Sequence, residues 1–174
     1  MAFVIREASV DDAEAVARVD IDSHVAAYRQ IFGETYLDGA SPERMLRRWR
    51  LLLTQDPSVA YGKEHWFVAA ADGGVIGYIG VGPSRDDDAM GLGEVRAIYV
   101  HPDAWRQGAG GALLDAGLAA LSSDGFEEAM LWVLEDNAQG RAFYEKQGWS
   151  LDEARRTQHR EEASFGELRY RRRL

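Results

Sequence analysis

The sequence contains no cysteine, and this absence removes several kinds of chemistry at once. None of the 174 residues can form a disulfide, supply a thiolate ligand to a metal or act as a cysteine nucleophile. An acyl transfer on this chain therefore proceeds without an acetyl-cysteine intermediate. The four histidines include no pair at helical ligand spacing, so the sequence predicts no metal site.

Long apolar runs and an excess of basic residues are also missing. No segment approaches the roughly 18 apolar residues of a membrane-spanning helix, and the first residues do not resemble a signal peptide, so we expect no membrane association and a cytoplasmic location. The net charge of −9 argues against nucleic-acid binding, which depends on clustered Lys and Arg. The acidic excess would favour a cationic acceptor, although solubility alone also explains it.

Residue patterns along the chain predict one α/β domain that spans residues 1–174, without a linker or an internal repeat. The apolar fraction of 46% is ordinary for a globular core. Ser9 and Ser41 are typical helix N-caps, because an acidic residue or a proline follows each at the start of a helical pattern. The pair Asp72-Gly73, between two strand-like runs, predicts the turn of a β-hairpin.

A glycine-rich turn between a strand and a helix, within residues 94–114, carries the most specific signal. Gly108, Gly110 and Gly111 have no Cβ, so the backbone there can approach an anion closely. The first N–H groups of the following helix have no intrahelical acceptor, and the helix dipole adds positive charge. The turn therefore predicts a phosphate-binding site.

Two common phosphate motifs do not fit this turn. A Walker loop ends in Gly-Lys-Ser/Thr, which the chain lacks. The dinucleotide fingerprint would start at Gly108, and its third glycine would fall on Leu113. The turn therefore belongs to another class of phosphate site.

Two motifs in the C-terminal half share their spacing with a known family. Residues 105–110 read Trp-Arg-Gln-Gly-Ala-Gly, and residues 137–149 place Asn137 seven positions before Tyr144 and end in Gly-Trp. In this order they resemble motifs A and B of the GNAT superfamily of acetyl-CoA-dependent N-acetyltransferases. Trp105 departs from that pattern, because Arg or Gln is usual at its position.

The resemblance implies a mixed, mostly antiparallel sheet with the element order β, α, α, β, β, β, α, β, α, β, β, flanked by helices and splayed between its fourth and fifth strands. It implies acetyl-CoA as co-substrate, bound in that split, and no metal. Backbone groups of the fourth strand would bond the pantetheine arm, and those of the glycine-rich turn would hold the pyrophosphate. The residues so implied are Ile98, Tyr99, Val100, Arg106, Gln107, Gly108, Ala109, Gly110 and Gly111, with Asn137 and Tyr144 beside the pantetheine.

Aminolysis of a thioester needs a neutral amine and a protonated leaving thiol. The resemblance implies Tyr144 as the general acid and Glu94, fourteen residues before Gly108, as the general base, acting directly or through water. Alternatively, Tyr144 belongs to the core of its helix and Glu94 merely begins a strand. Asn137 either contacts the pantetheine arm or caps the following helix. Trp132 stands where ribosomal-protein acetyltransferases keep their base, which weighs against that subgroup.

The resemblance places acceptor specificity on the first two helices and on the loop before the fourth strand. The candidate residues there are Tyr28, Tyr36, Trp49 and residues 85–88. The three consecutive aspartates of that loop predict a solvated surface rather than a metal site. Arginines at position 169 and at residues 171–173 predict a solvated face or a protected sheet edge.

Together these features predict an N-acetyltransferase that moves an acetyl group from acetyl-CoA to a primary amine of a small molecule, by direct attack in a ternary complex. A peptide or protein amine is the second acceptor class. A CoA-binding sensor or interaction module that keeps the fold without turnover is the alternative function. A homodimer is an expectation from the resemblance alone.

Overall fold

The computed structural model describes residues 2–32, 41–56, 61–160 and 163–174. Strands and helices follow one another along these residues in the order that the resemblance implies. The strands are β1 (Val4–Glu7), β2 (His65–Ala71), β3 (Gly74–Pro83), β4 (Gly93–Val100), β5 (Glu128–Leu134), β6 (Ser150–Arg160) and β7 (Ala163–Arg173). The helices are α1 (Ala13–Phe32), α2 (Pro42–Leu53), α3 (Ala109–Ser123) and α4 (Ala138–Lys146).

The strands form one sheet in the order β1-β2-β3-β4-β5-β7-β6. Neighbouring strands are antiparallel except β4 and β5, which run parallel and pair only at Gly93 with Ala129 and at Glu94 with Met130. Beyond these two pairs the strands no longer pair with each other, so the sheet opens between β4 and β5. The predicted fold class and its split are confirmed.

Helices begin where the local signals predict. The Ser41 hydroxyl accepts the N–H of Arg44 at 3.3 Å, and Pro42 is the first residue of α2. The Ser9 N–H donates to the Asp12 carboxylate at 2.8 Å, which caps the helical turn that leads into α1. These caps satisfy N–H groups that a helix cannot bond internally.

Helices cover both faces of the sheet. Tyr78 and Ile79 follow each other in β3, so their side chains point to opposite faces, and they belong to different apolar clusters. Ile79 packs with residues of α3, which include Leu113, Leu114 and Leu121. Tyr78 packs with residues of α1 and α2, which include Val16, Val19 and Trp49. Helix α3 therefore covers one face of the sheet, and α1 and α2 cover the other.

Strand β7 is not a sheet edge, and Arg169 is not solvated, contrary to the prediction from the C-terminal arginines. The outer position is taken by β6, which places β7 between β5 and β6. Arg169 is 4% exposed, and its guanidinium donates to Asp88 at 2.9 Å and to Asp152 at 2.8 Å. Asp86 lies 3.8 Å from the same group. Asp86 and Asp88 thus neutralise a buried cation, while Asp87 and Asp88 are exposed as predicted.

Candidate active site

Backbone groups at the end of β4 face the split. The N–H of His101, directly after β4, donates to the Ile76 carbonyl on the β3 side at 2.8 Å. Successive residues of a strand direct their N–H and C=O groups to opposite sides, so those of Val100 and Ile98 point into the split. The structure thus brings the two predicted pantetheine-binding residues to the open edge, with Tyr99 between them.

Trp105 ties the glycine-rich turn to the end of β4. Its indole Nε1 donates to the Val100 carbonyl at 2.7 Å, and the Ser23 hydroxyl donates to the same oxygen at 3.2 Å. The residue that departs from the family motif therefore fixes the turn relative to β4 instead of supplying a cation. With this carbonyl engaged, the Val100 N–H and the backbone of Ile98 are left to meet a ligand.

The turn before α3 presents a row of backbone donors. Arg106 and Gly108 have φ angles of +62° and +91°, in the left-handed region. Among the described residues, none accepts a hydrogen bond from the N–H groups of residues 107–111. A Cβ on Gly110 or Gly111 would meet no atom closer than 3.5 Å, so packing within the fold does not require glycine there. Free donors at a helix start form a site for an anion.

Asn137 and Tyr144 stand on α4, beside the split. The Asn137 side chain accepts the N–H of Gly140 at 2.9 Å and so caps α4, while its contact with a pantetheine arm stays a prediction. Tyr144, two turns along, lines a cavity next to β4. Burial, and to a smaller extent Tyr28, raises the pKa of the Tyr144 phenol. Tyr144 is therefore protonated at neutral pH and is a weaker acid than a free tyrosine.

The Glu94 carboxylate is buried and enclosed by two arginines. It is 4% exposed. Arg85 donates to it through its backbone N, Nε and Nη2 at 3.2, 3.1 and 2.8 Å, and Arg96 donates through Nη1 at 2.9 Å. These bonds occupy the lone pairs that a proton acceptor would use. A general-base role for Glu94 stays a prediction, and it requires one of these bonds to open.

A cavity of about 760 Å³ adjoins the split, between β4, β5 and the helices α1 and α2. Tyr28, Trp49 and Arg85, predicted as acceptor-site candidates, line it. Trp49 is 3% exposed and donates its indole N–H to Asp20 at 3.0 Å, so packing accounts for most of its surface. Tyr36 lies outside the described residues.

The charges around this cavity do not follow the net charge of the chain. The arginines that line it are Arg44, Arg48, Arg85, Arg96 and Arg156. The carboxylates that line it are Asp20, Glu94 and Glu167. Arg85 and Arg96 pair with Glu94, and Arg156 pairs with Glu167. Arg44 and Arg48 are exposed on successive turns of α2 and have no ion-pair partner within the described ranges. The cavity is thus more cationic than the sequence as a whole, and it does not support the expected cationic acceptor.

The structure adds polar side chains that sequence reasoning missed. The Asp20 carboxylate accepts from the Tyr78 hydroxyl at 2.7 Å and lies 2.9 Å from His24 Nδ1, while the Tyr99 hydroxyl lies 3.2 Å from His24 Nε2. The spacing of four between Asp20 and His24 was a signal for one helix face. No spacing rule connects that face to residues of β3 and β4.

In the part of the chain that the structure describes, no helix has the length and apolar character needed to cross a membrane. No group of three His, Asp or Glu side chains in the same ranges is placed to hold a metal ion.

The opened sheet and the donor-lined turn are the architecture of GNAT acetyltransferases. Residues 25–149 match the family described as acetyltransferase (GNAT) family. The chain belongs to this family and is an acetyl-CoA-dependent acyltransferase.

Individual relatives agree with this placement. The uncharacterized N-acetyltransferase YuaI of Bacillus subtilis is 32% identical over 133 residues, which cover 76% of this chain and 72% of that protein. The mycothiol acetyltransferase of Geodermatophilus obscurus is 39% identical over 70 residues, which cover 40% of this chain but only 23% of that protein. The crystal structure of PaiA N-acetyltransferase from Thermoplasma acidophilum in complex with coenzyme A matches with a TM-score of 0.75 over 100% of both chains at 22% identity. At that identity the likeness shows the fold.

Proposed function

We propose that this chain transfers the acetyl group of acetyl-CoA to a primary amine of a small molecule, by direct attack in a ternary complex. The observation that carries the proposal is the split between β4 and β5, with the donor-lined turn close to the end of β4 and the Tyr144 cavity beside it. Backbone groups of Ile98 and Val100 would hold the pantetheine arm, and residues 106–111 would hold the pyrophosphate.

The proposed chemistry needs a proton acceptor for the amine and a proton donor for the thiol. The bound co-substrate supplies a thioester, whose carbonyl carbon the neutral amine attacks. Tyr144, kept protonated by its burial, donates its proton to the departing sulfur. Glu94 is the base that the family resemblance implies, although four hydrogen bonds from Arg85 and Arg96 hold its carboxylate.

Replacing Gly108 with alanine is expected to weaken acetyl-CoA binding at least tenfold, because a Cβ would stand where phosphates approach the backbone. Alanine at a φ of +91° also costs about 1 kcal/mol of folding free energy. Gly125→Ala is the matched control, since Gly125 lies beyond the other end of α3 at φ +93° and a Cβ meets nothing within 4 Å at either position. Calorimetric titration should separate the two variants, whereas thermal denaturation should not. Equal affinities would contradict phosphate binding at this turn.

The cavity favours an acceptor amine that also carries an anionic group. Arg44 and Arg48 project from α2 into the cavity lining and are the arginines there without an ion-pair partner among the described residues. A carboxylate or phosphate on the acceptor would pair with these guanidinium groups. Its amine would then extend toward Tyr144 on the opposite wall.

Replacing Arg48 with glutamine is expected to raise the KM for a carboxylate-bearing amine at least fivefold, with a smaller change in kcat, because the lost contact is the same before and during the reaction. The KM for an uncharged amine of similar size should change less than twofold. Arg47→Gln is the control, since Arg47 is exposed on the same helix but does not line the cavity. Equal effects of the two variants on KM would rule out this recognition.

Thiol release from acetyl-CoA across a panel of amines and short peptides tests the proposed function. The chain has no cysteine and so adds no thiol background. Release with small primary amines supports the proposal. Release with peptides alone would move the function to the second acceptor class. Tight acetyl-CoA binding by calorimetry without any release would instead support the CoA-binding module.

A further inference from the structure

A chain of hydrogen-bonding groups joins α1 to β4 inside the cavity, and neither of the catalytic roles proposed above uses it. The hydroxyls of Tyr28 and Tyr99 lie 3.1 Å apart. The Tyr99 hydroxyl lies 3.2 Å from His24 Nε2. His24 Nδ1 lies 2.9 Å from the backbone oxygen of Asp20 and 2.9 Å from its carboxylate. All four side chains line the cavity that also contains Tyr144.

The two oxygens beside His24 Nδ1 fix the direction of every hydrogen bond in this series of side chains. Both neighbours of His24 Nδ1 are oxygens that accept, so the neutral ring carries its proton on Nδ1. Nε2 therefore has a free lone pair and accepts from the Tyr99 hydroxyl. Because that proton is engaged, the Tyr99 oxygen accepts from the Tyr28 hydroxyl. Each member is thus set to pass a proton toward Asp20.

Surrounding contacts hold the imidazole and the carboxylate in place. Burial opposes ionisation of Asp20, but hydrogen bonds from His24, Tyr78 and Trp49 outweigh it and lower the pKa of the carboxyl. The His24 ring stacks on Tyr99 with 4.5 Å between centroids. An ionised carboxylate behind a histidine both orients the ring and stabilises the imidazolium that forms when the ring takes up a proton.

We propose that Tyr28, Tyr99 and His24 form the proton relay that deprotonates the acceptor amine, with His24 Nε2 as the final acceptor and Asp20 as the positioning residue. The ammonium group gives a proton to the Tyr28 oxygen, Tyr28 gives its own to Tyr99, and Tyr99 gives its own to His24. The neutral amine then attacks the thioester carbon. The C–S bond breaks, Tyr144 protonates the sulfur, and the second amine proton restores Tyr144. The first proton leaves His24 for solvent.

This relay, which rests on the proposed function, suits the reaction better than Glu94 alone. Burial raises the pKa of Tyr99, so the proton passes in concerted hops and no tyrosinate accumulates. A neutral imidazole nitrogen is a common proton acceptor in general-base catalysis. Among the residues that the structure describes, one hydroxyl engages His24 Nε2, whereas four N–H donors engage the Glu94 carboxylate.

The test compares two acceptors of nearly the same shape, β-alanine and aminooxyacetate. The amine of β-alanine is protonated at neutral pH and needs the relay, whereas the alkoxyamine is already neutral. We expect His24→Gln to lower kcat/KM at least tenfold more for β-alanine than for aminooxyacetate, and Tyr28→Phe to do the same. The control is His65→Gln, because His65 forms a similar pair with Asp124 at 2.6 Å outside the cavity.

Separate outcomes distinguish the relay from the proposed function. Equal losses for both acceptors, or an active His24→Gln variant with both, would overturn the relay while the acetyltransferase function stands. A wild-type protein without thiol release on any acceptor would overturn the function itself. Nitrogen NMR of the histidines supplies a readout without turnover: a neutral His24 protonated on Nδ1 supports the relay, and one protonated on Nε2 overturns it.

Discussion

Replacing Tyr144 with phenylalanine is expected to lower kcat at least tenfold while leaving acetyl-CoA affinity nearly unchanged. The substitution removes only the hydroxyl. The ring, which packs at 5.3 Å from Phe143 and 6.1 Å from Trp149 between centroids, is kept. A thiol that leaves as an unprotonated thiolate is the poorer leaving group, so the loss falls on the chemical step. Steady-state assays with saturating acetyl-CoA measure kcat, and calorimetric titration measures the affinity for acetyl-CoA.

The direction of the pKa shift adds a second expectation for Tyr144. Burial raises its pKa above the ordinary value, so donation to a thiolate is uphill by more than the roughly 2 kcal/mol that separates an ordinary tyrosine from a thiol. The same shift keeps Tyr144 protonated until the pH passes about 10. Loss of its proton should therefore add no alkaline limb to the rate profile below that pH. A limb at lower pH that disappears in Tyr144→Phe would contradict this assignment.

A matched hydroxyl deletion separates catalysis from packing. The Tyr170 hydroxyl donates to Glu145 at 2.7 Å and accepts from Arg141 at 3.3 Å, and Tyr170 does not line the cavity. Tyr170→Phe should cost about 1 kcal/mol of stability and leave kcat within twofold. Equal kcat values for the Tyr144 and Tyr170 variants would remove Tyr144 from the reaction.

Local interactions made the elements and the turn predictable from the sequence. The Ser41 cap of α2, the Asn137 cap of α4 and the donor row before α3 each depend on groups a few residues apart. The residue types at these positions are therefore enough to predict the two caps and the turn. The split between β4 and β5 is a property of the whole sheet, and it was predicted through the resemblance to a family rather than through periodicity.

Contacts between distant positions were not predictable in the same way. Arg169 binds Asp88 across 81 positions, and the Tyr99 hydroxyl meets His24 across 75. The two residues of each pair belong to different elements. Without the fold, only the usual environment of each residue type can be predicted, and for an arginine or an aspartate that environment is solvent. The net charge of −9 likewise says nothing about a cavity whose walls carry more arginines than carboxylates.

Replacing Arg96 with leucine is expected to destabilise the fold by about 3–5 kcal/mol, because it removes the cation from a buried ion cluster. The Arg96 side chain is 5% exposed and occupies the β-bulge of β4 opposite β3. Its guanidinium lies 2.7 Å from Glu64 and 2.9 Å from Glu94, and it donates to the Pro83 carbonyl at 2.8 Å. Burial lowers the pKa of Arg96, and the two carboxylates offset part of that effect. Leucine would leave the buried Glu64 without an ion-pair partner among the described residues.

Arg85→Leu is the control for this prediction. Arg85 pairs with the same Glu94, but its side chain is 49% exposed, so water can replace much of the interaction. The control should cost less than about 1 kcal/mol. Urea denaturation of both variants measures the difference. An Arg96→Leu variant within 1 kcal/mol of the wild-type protein would show that the cluster contributes little.

The unpaired charge on Glu64 explains most of the expected loss of stability in Arg96→Leu. Two measurements should detect the effect of this charge. An unpaired buried carboxylate has a raised pKa in the folded state, so the folded variant holds its proton at a pH where the unfolded chain has lost it. Stability then falls as the pH rises above about 4.3, and the defect of Arg96→Leu should be smaller at pH 5 than at pH 7. The double variant Glu64→Gln/Arg96→Leu should be more stable than Arg96→Leu alone at pH 7, since removing the second charge ends the penalty that removing the first created.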